Sequence, residues 1–288
     1  MSLFTPVLGA LGLLTAWHTW FLGKDIFSRR HEWEPDTSLV TTGLIGFFVN
    51  FLDTLGIGSF APSTFLYKSL RQVRDRIIPG TLNVANTIPT VMEALIFITV
   101  IEVEPVTLLT MIGAAVVGAW FGAGIIVKLD TKGIQKTMGA SLLAVAFIML
   151  AGQMQWFPLG GDAIGLTGVK LAVGIGGNFV LGVLMTAGIG LYAPCMALVY
   201  FLGMSPAVAF PIMMGSCAFL MPVASAKFIK EGAYNRKAAL AISILGSVGV
   251  FIAAFIVKSL PLDMLKWLVM AVVLYTSVIM LRQGFSKN

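Results

Sequence analysis

The stretch Asp53-Thr-Leu-Gly-Ile-Gly-Ser-Phe-Ala-Pro62 recurs later in the chain as Met185-Thr-Ala-Gly-Ile-Gly-Leu-Tyr-Ala-Pro194. The two copies share Thr, Gly-Ile-Gly, an aromatic residue and Ala-Pro at the same offsets. Both lie in long apolar runs, where a Gly-x-Gly break interrupts a helix. Irregular backbone at membrane depth is tolerated only where it is buried in protein or lines a cavity. Two such breaks in corresponding positions of two halves indicate a solute-binding site inside a membrane.

The composition is that of a membrane protein. Of the 288 residues 58% are apolar and 11% are charged, whereas soluble domains carry about 25% charged residues. The two cysteines show neither a disulfide framework nor metal-ligand spacing. The basic residues lie in short loops, where they report topology and not nucleic-acid binding. We expect an all-α, polytopic membrane protein with no cofactor, no metal and no nucleic-acid partner.

Charge distribution favours an arrangement in which two segments do not cross the bilayer. If every apolar run crossed once, the 19 Lys and Arg would split 10 to 9 between the faces, although membrane proteins concentrate them on the cytoplasmic side. If 38–66 and 164–202 are re-entrant hairpins, 16 of these residues share one face. The others are Lys170, Lys258 and Lys266. The nine runs are 3–23, 38–66, 80–101, 106–127, 134–156, 164–202, 206–226, 238–257 and 262–281.

This arrangement predicts three parts of the chain. Residues 1–37 form an extra N-terminal transmembrane helix and a cytoplasmic loop, 38–156 form repeat 1, and 157–288 form repeat 2. Each repeat has one Gly-broken hairpin and three transmembrane helices, and the second repeat is inverted relative to the first. We expect a multi-pass protein of the plasma or inner membrane, with the N-terminus outside and the C-terminus in the cytoplasm. A long broken helix remains the alternative to a hairpin, because residues 38–56 could cross unaided at about 1.5 Å per residue.

The breaks suggest a site for a negatively charged solute. Each motif predicts a helix end, a glycine turn and a new helix with proline in its first turn. A helix N-terminus presents unpaired N–H groups and a positive dipole end, so two opposed N-termini would bind an anion without a buried cation. The alternative is a pair of tight turns that only lets helices pack closely. The predicted substrate-binding residues are Thr54, Gly56, Ile57, Gly58, Ser59, Asn83, Asn86, Thr186, Gly188, Ile189, Gly190, Leu191 and Ser216.

Two acidic residues lie at membrane depth. Asp53 precedes the first break, and Glu93 lies in the apolar segment 80–101. An ionised carboxylate is costly there, so our hypothesis is that Asp53 or Glu93 binds a proton coupled to substrate movement. The alternative is a hydrogen-bonded structural carboxyl. For Phe60 and Tyr192, which follow the breaks at matching positions, we expect packing rather than a role in a cavity wall.

The duplicated Gly-Ile-Gly followed by Pro, with Asn83 or Ser216 on the next helix, resembles the TauE/SafE sulfite exporter family over residues 40–285. The resemblance implies a membrane protein of two related halves that moves sulfite, sulfonates and related sulfur-containing anions. The third consecutive glycine that is common in the family is replaced here by Ser59 and by Leu191.

We therefore expect a secondary transporter of a small sulfur-containing oxyanion, sulfite or an organosulfonate, with alternating access around a midplane site. The alternative is a proton-coupled carrier of another small organic anion, such as a carboxylate. The expected partners are the anionic substrate, the lipid bilayer and, under the proton hypothesis, protons; a homodimer is an arrangement that the sequence allows. No Gly-x-x-x-x-Gly-Lys-Ser/Thr motif for ATP occurs. We do not expect an enzyme, because neither histidine lies in a motif.

Overall fold

The computed structural model describes residues 4–156, 160–256 and 262–286. Over these residues the fold is all-helical, with eleven α-helices and no β-sheet. The helices are α1 (Phe4–Ser28), α2 (Leu39–Thr54), α3 (Phe60–Ser69), α4 (Ile78–Val100), α5 (Pro105–Ile126), α6 (Thr131–Gln153), α7 (Gly168–Thr186), α8 (Tyr192–Phe201), α9 (Ala209–Lys230), α10 (Arg236–Ile256) and α11 (Leu262–Phe285).

Side-chain caps fix where several helices begin. The Glu104 carboxylate accepts hydrogen bonds from the N–H groups of Val106 at 2.9 Å and Thr107 at 2.7 Å, and so caps α5. The hydroxyl of Thr107 also donates to this carboxylate, and the pKa of Glu104 lies below its ordinary value chiefly for that reason. Asp130 caps α6 through the N–H of Gly133 at 2.8 Å. Such caps stabilise a helix by about 1 kcal/mol each.

The first broken segment is a re-entrant hairpin formed by α2 and α3. The Thr37 hydroxyl, just before α2, donates to the carbonyl of Gln72, just after α3, at 2.8 Å. The N–H of Ser38 donates to the Gln72 side chain, also at 2.8 Å. The two ends of the segment therefore lie together at one face of the molecule, which excludes the long broken helix.

The second broken segment, α7 and α8, is a hairpin of the same kind. The N–H of Ser205, which follows α8, donates to the carbonyl of Ala163, which precedes α7, at 2.9 Å. The N–H of Gly161 donates to the carbonyl of Met204 at 3.0 Å. Both ends of this segment again lie together.

The two hairpins enter from opposite faces. At the entrance of the first, Asn235 donates to the Thr37 hydroxyl at 2.7 Å, and next to it Arg236 pairs with Asp25 at 2.8 Å. At the entrance of the second, the N–H of Glu104 donates to the carbonyl of Ile164 at 2.9 Å. We call the first end the basic face; it holds the loops 29–38, 70–77, 127–130 and 231–235 and the end of α11. The other end is the opposite face.

Helix packing follows the same inverted arrangement. The first limb of each hairpin packs on a helix of the other half, α2 on α10 and α7 on α5. At the centre α4 packs on α9, and at the side α6 packs on α11. If each helix is replaced by its counterpart in the other half, the same four helix contacts are obtained. The α5–α7 contact is close because of glycine: a Cβ added at Gly118 would overlap the carbonyl of Phe179, and one at Gly182 would overlap that of Ala115.

The lengths of the helices suit a bilayer. Six helical segments of the described residues are long and apolar enough to cross a membrane, by length and composition: 75–100, 105–126, 131–153, 168–186, 206–230 and 236–255. The fourth is the first limb of the second hairpin, whose hydrogen-bonded ends show that it returns. The helices α1 and α11, with 25 and 24 residues, also exceed the roughly 20 residues needed to cross.

The predicted fold class is confirmed. The chain is an all-α, polytopic membrane protein with an extra N-terminal helix and two hairpins that enter from opposite faces. The repeat boundaries at 38–156 and 157–288 stay predictions. Of the three basic residues assigned to the opposite face, the side chains of Lys258 and Lys266 lie outside the described residues.

Candidate functional site

The two helix breaks meet inside the protein, as the sequence predicts. Ile57 and Gly58 of the first break and Gly190 of the second line one small void. A Cβ added at Gly190 would lie 3.9 Å from the Cβ of Phe60. Gly58 has φ +95°, a left-handed backbone angle that favours glycine.

The void between the breaks is too small for the expected substrate. Its volume is about 20 Å³, and a single water needs about 10–15 Å³ on this measure. In this conformation the void therefore has no room for an anion such as sulfite. A solute can enter this void only if the residues that line it move.

A larger cavity reaches the breaks from the opposite face. It has a volume of about 300 Å³ and runs from Gln153, at the end of α6, to Gly56 in the first break. Three of its lining residues also line the small void, so the cavity ends against that void. The shared residues are Ile57, Met149 and Ala193.

The N-terminus of α3, after the first break, is occupied by a carboxylate of the chain itself. Asp53 accepts the N–H of Ser59 at its Oδ1 and the hydroxyl of Ser59 at its Oδ2, each at 2.7 Å. In this conformation both donors of Ser59 are used by Asp53, and its role in substrate binding stays a prediction. In the second break the matching positions are Met185 and Leu191, which cannot form this cap.

The N-terminus of α8, after the second break, has no such cap. Among the hydrogen bonds of the described residues, none uses the N–H of Leu191, Tyr192 or Ala193. Unpaired N–H groups at a helix N-terminus attract negative charge. The N–H groups of Phe60 and Ala61 at the first break likewise have no acceptor among these hydrogen bonds, but the carboxyl group of Asp53 lies beside them. The second break has no such carboxyl group and is therefore the better of the two for an anion.

Glu93 of α4 joins the two hairpins. Its Oε1 accepts the hydroxyl of Thr54, in the first hairpin, at 3.0 Å, and its Oε2 accepts the hydroxyl of Tyr192, in the second, at 2.7 Å. Glu93 is fully buried. The expectation that Tyr192 only packs is wrong, because its side chain lines the void and its hydroxyl bonds to Glu93. The signal in the sequence is the hydroxyl that Tyr192 has and Phe60 lacks, since a buried hydroxyl needs a partner.

Other predicted residues make hydrogen bonds within one of the surrounding helices or between two of them. The Thr186 hydroxyl donates to the carbonyl of Val183 at 2.7 Å. Asn86 accepts from the Asn50 side chain at 3.0 Å. Neither Thr186 nor Asn86 lines the small void or the larger cavity, and the same holds for Gly188 and Ile189.

The second half has a comparable buried pair. Asn178 of α7 donates to the hydroxyl of Ser216 on α9 at 2.8 Å. Asn83, which matches Ser216 in the first half, donates to the carbonyl of Pro79 at 2.9 Å, and its own carbonyl oxygen has no partner. The sequence prediction left Asn50 and Asn178 out of the site, although each is an amide in a hairpin that must satisfy its hydrogen bonds inside the protein.

A family model described as "Sulfite exporter TauE/SafE" matches residues 1–149 and 170–288. The chain belongs to the TauE/SafE sulfite exporter family. The match covers the first hairpin completely and all of the second from Lys170 onward. Membership makes the protein a membrane transporter of sulfite or a related anion and not an enzyme. No curated protein and no solved structure was found to match this chain.

Proposed function

We propose that this protein is a secondary transporter that moves a small sulfur-containing oxyanion, sulfite or an organosulfonate, across the inner membrane. The observation that carries the proposal is the free N-terminus of α8, which lies where the two helix breaks meet. Its N–H groups at Leu191, Tyr192 and Ala193 have no acceptor among the described residues. The substrate anion would supply that acceptor.

The absence of basic side chains from the two hairpins supports binding of the anion by backbone amides. No Lys or Arg occurs between residues 38 and 67 or between 171 and 202, so the donors available to an anion in the hairpins are amides and hydroxyls. A helix N-terminus stabilises a negative charge by about 0.3–1 kcal/mol at a surface and up to about 2 kcal/mol when partly buried. Such moderate binding suits a carrier, which must also release its substrate.

Alternating access would proceed by movement of the two hairpins. The cavity of about 300 Å³ leads from the opposite face to the first break. Toward the basic face, α4 and α9 are joined by the Thr87 and Ser225 hydroxyls at 3.3 Å. We infer from this contact that the conformation is closed toward the basic face. We infer that the basic face is cytoplasmic, because positive residues concentrate there, and that the membrane potential favours export by about 2.3 kcal/mol per charge per 100 mV.

A second candidate is a proton-coupled carrier of another organic anion, such as a carboxylate. The buried Glu93 favours it. When ionised, Glu93 accepts from both Thr54 and Tyr192; a proton on one oxygen would reverse the direction of one of these hydrogen bonds. Protonation would therefore alter the contact between the hairpins. Asp53 is the other buried carboxyl group at the breaks.

Uptake into proteoliposomes tests the proposal. The purified protein would be supplied with labelled sulfite, an organosulfonate, acetate and a neutral solute of similar size. We expect uptake of sulfite or the sulfonate, slower when the lumen is made electrically negative. Uptake of acetate alone, dependent on an inward proton gradient and faster than in protein-free liposomes, would favour the second candidate. Uptake of the neutral solute with none of the anions would overturn both.

A further inference from the structure

A groove on the lipid-facing side of the protein runs between α1, α5 and α9. Its volume is about 800 Å³. Its walls are largely aromatic, with Trp17 and Phe21 from α1 and Trp120 and Phe121 from α5. Trp120 is 62% exposed, so the groove is open to its surroundings and lies apart from the helix breaks.

Three lysines line the same groove at the basic face. Lys128 follows the end of α5, and Lys227 and Lys230 lie in the last turn of α9. Lys227 is 3.5 Å from the carboxylate of Glu231. Among the described residues, no carboxylate lies within ion-pair distance of Lys128 or Lys230. The groove thus combines an apolar wall with a net positive end.

We propose that this groove binds an anionic phospholipid of the leaflet at the basic face. The acyl chains would lie along Trp17, Phe21 and Trp120, and the phosphate would lie among the lysine ammonium groups. Basic pockets between transmembrane helices at the cytoplasmic side suit anionic headgroups. A zwitterionic lipid would gain the same apolar contact but less from the three positive charges.

A second copy of the chain fits the groove less well. A symmetric dimer brings the same surface of both subunits together. Across a two-fold axis along the membrane normal, Lys128, Lys227 and Lys230 of both copies would lie at the same depth and repel one another. Charge complementarity therefore favours the lipid over the dimer.

Native mass spectrometry of the full-length protein in detergent, titrated with phosphatidylglycerol or phosphatidylcholine, tests this proposal. We expect tighter binding of phosphatidylglycerol. Each lysine near the headgroup contributes about fivefold in affinity, so the K128Q/K227Q/K230Q variant should lose about a hundredfold. The K128R/K227R/K230R variant should keep the preference, and so should the control R71Q/R74Q/R76Q, which removes three exposed charges from the basic face outside the groove.

Equal binding of the two lipids by the wild-type protein would overturn the proposal, even if the Lys→Gln variant did not fold. Unchanged phosphatidylglycerol binding by a folded Lys→Gln variant would also overturn it. Dimers that are lost in the W120A variant, with no lipid bound, would show that a second copy occupies the groove.

Discussion

The Tyr192 hydroxyl lies 2.7 Å from Oε2 of Glu93 and joins the second hairpin to the central helix α4. Because Oε1 of the same carboxyl group accepts from Thr54 at 3.0 Å, one side chain holds both hairpins. A movement that separates the hairpins must break or rearrange at least one of these bonds. Glu93 therefore lies where a change of protonation or of substrate occupancy would affect both hairpins.

Removal of the Tyr192 hydroxyl tests its contribution to stability and to transport. We expect Y192F to lower the free energy of unfolding by about 1–3 kcal/mol, because a buried acceptor loses a donor, and to reduce transport. The variant preserves the ring, as Phe60 does at the matching position. The control is Y275F, since Tyr275 is 58% exposed, and we expect it to change stability by less than about 0.5 kcal/mol. Thermal unfolding in detergent gives both values; equal stability of the two variants would contradict this role of Tyr192.

The proton hypothesis makes a prediction about pH. If Glu93 carries the coupled proton, uptake in the wild-type protein falls as the external pH rises, because fewer carriers are protonated on that side. In E93Q, uptake should continue at a reduced rate with little dependence on pH. An organosulfonate is the right substrate, because its own charge is constant over the neutral range. The same pH profile in wild-type protein, D53N and E93Q would exclude both carboxyl groups as the proton site.

The difference between the two breaks can be removed by mutation. In M185D/L191S, the second break gains the residues that cap α3 in the first, Asp53 and Ser59. We expect the introduced carboxylate to bind the N–H at position 191, to repel an anion at the neighbouring amides and so to abolish anion transport. M185N/L191S introduces a neutral side chain of nearly the same shape and should retain more transport. Equal transport by the two folded variants would show that the α8 N-terminus does not bind the anion.

Because α5 and α7 lie in close contact, we expect a larger side chain between them to lower the stability of the protein. G182A should lower the free energy of unfolding by about 1–3 kcal/mol, because overpacking forces the helices apart. Gly176 lies on the same helix, and a Cβ added there meets nothing within 4 Å. G176A is therefore the matched control and should leave the stability close to that of the wild-type protein. An equal loss in both variants would contradict the packing explanation, since alanine has a higher helix propensity than glycine and does not itself destabilise a helix.

The inferred topology can be tested by labelling single cysteines in a background without Cys195 and Cys217. We expect R30C, R71C and E231C to react with an impermeant reagent only from the cytoplasm. D162C, at the entrance of the second hairpin, should react only from outside. Labelling of R71C from the side that labels D162C would contradict the opposite entry of the hairpins.

The positions of the breaks and the opposite entry of the hairpins could be predicted from the sequence. Both depend on signals along the chain: glycines and prolines at repeated spacing, and basic residues that concentrate on one side. Pro62 and Pro194 each lie in the first turn of their helix, as expected.

The polar contacts of the site could not be predicted in the same way. Tyr192 and Glu93 are 99 residues apart, and no local pattern specifies such a pair. The sequence analysis did not predict the cap formed by Asp53 and Ser59. It predicts an anion site at Ser59 and a proton site at Asp53, and no hydrogen bond between the two side chains. The small size of the void depends on side-chain packing in one conformation, which a sequence motif does not encode.

An experimental structure of the protein with bound selenite, a sulfite analogue located by its anomalous scattering, tests whether the N-terminus of α8 binds the anion. We expect selenium between separated hairpins, with an oxygen about 2.7–3.2 Å from an α8 amide nitrogen among Leu191, Tyr192 and Ala193. Selenite bound elsewhere, with the α8 amides still unoccupied and the breaks still closed, would contradict it.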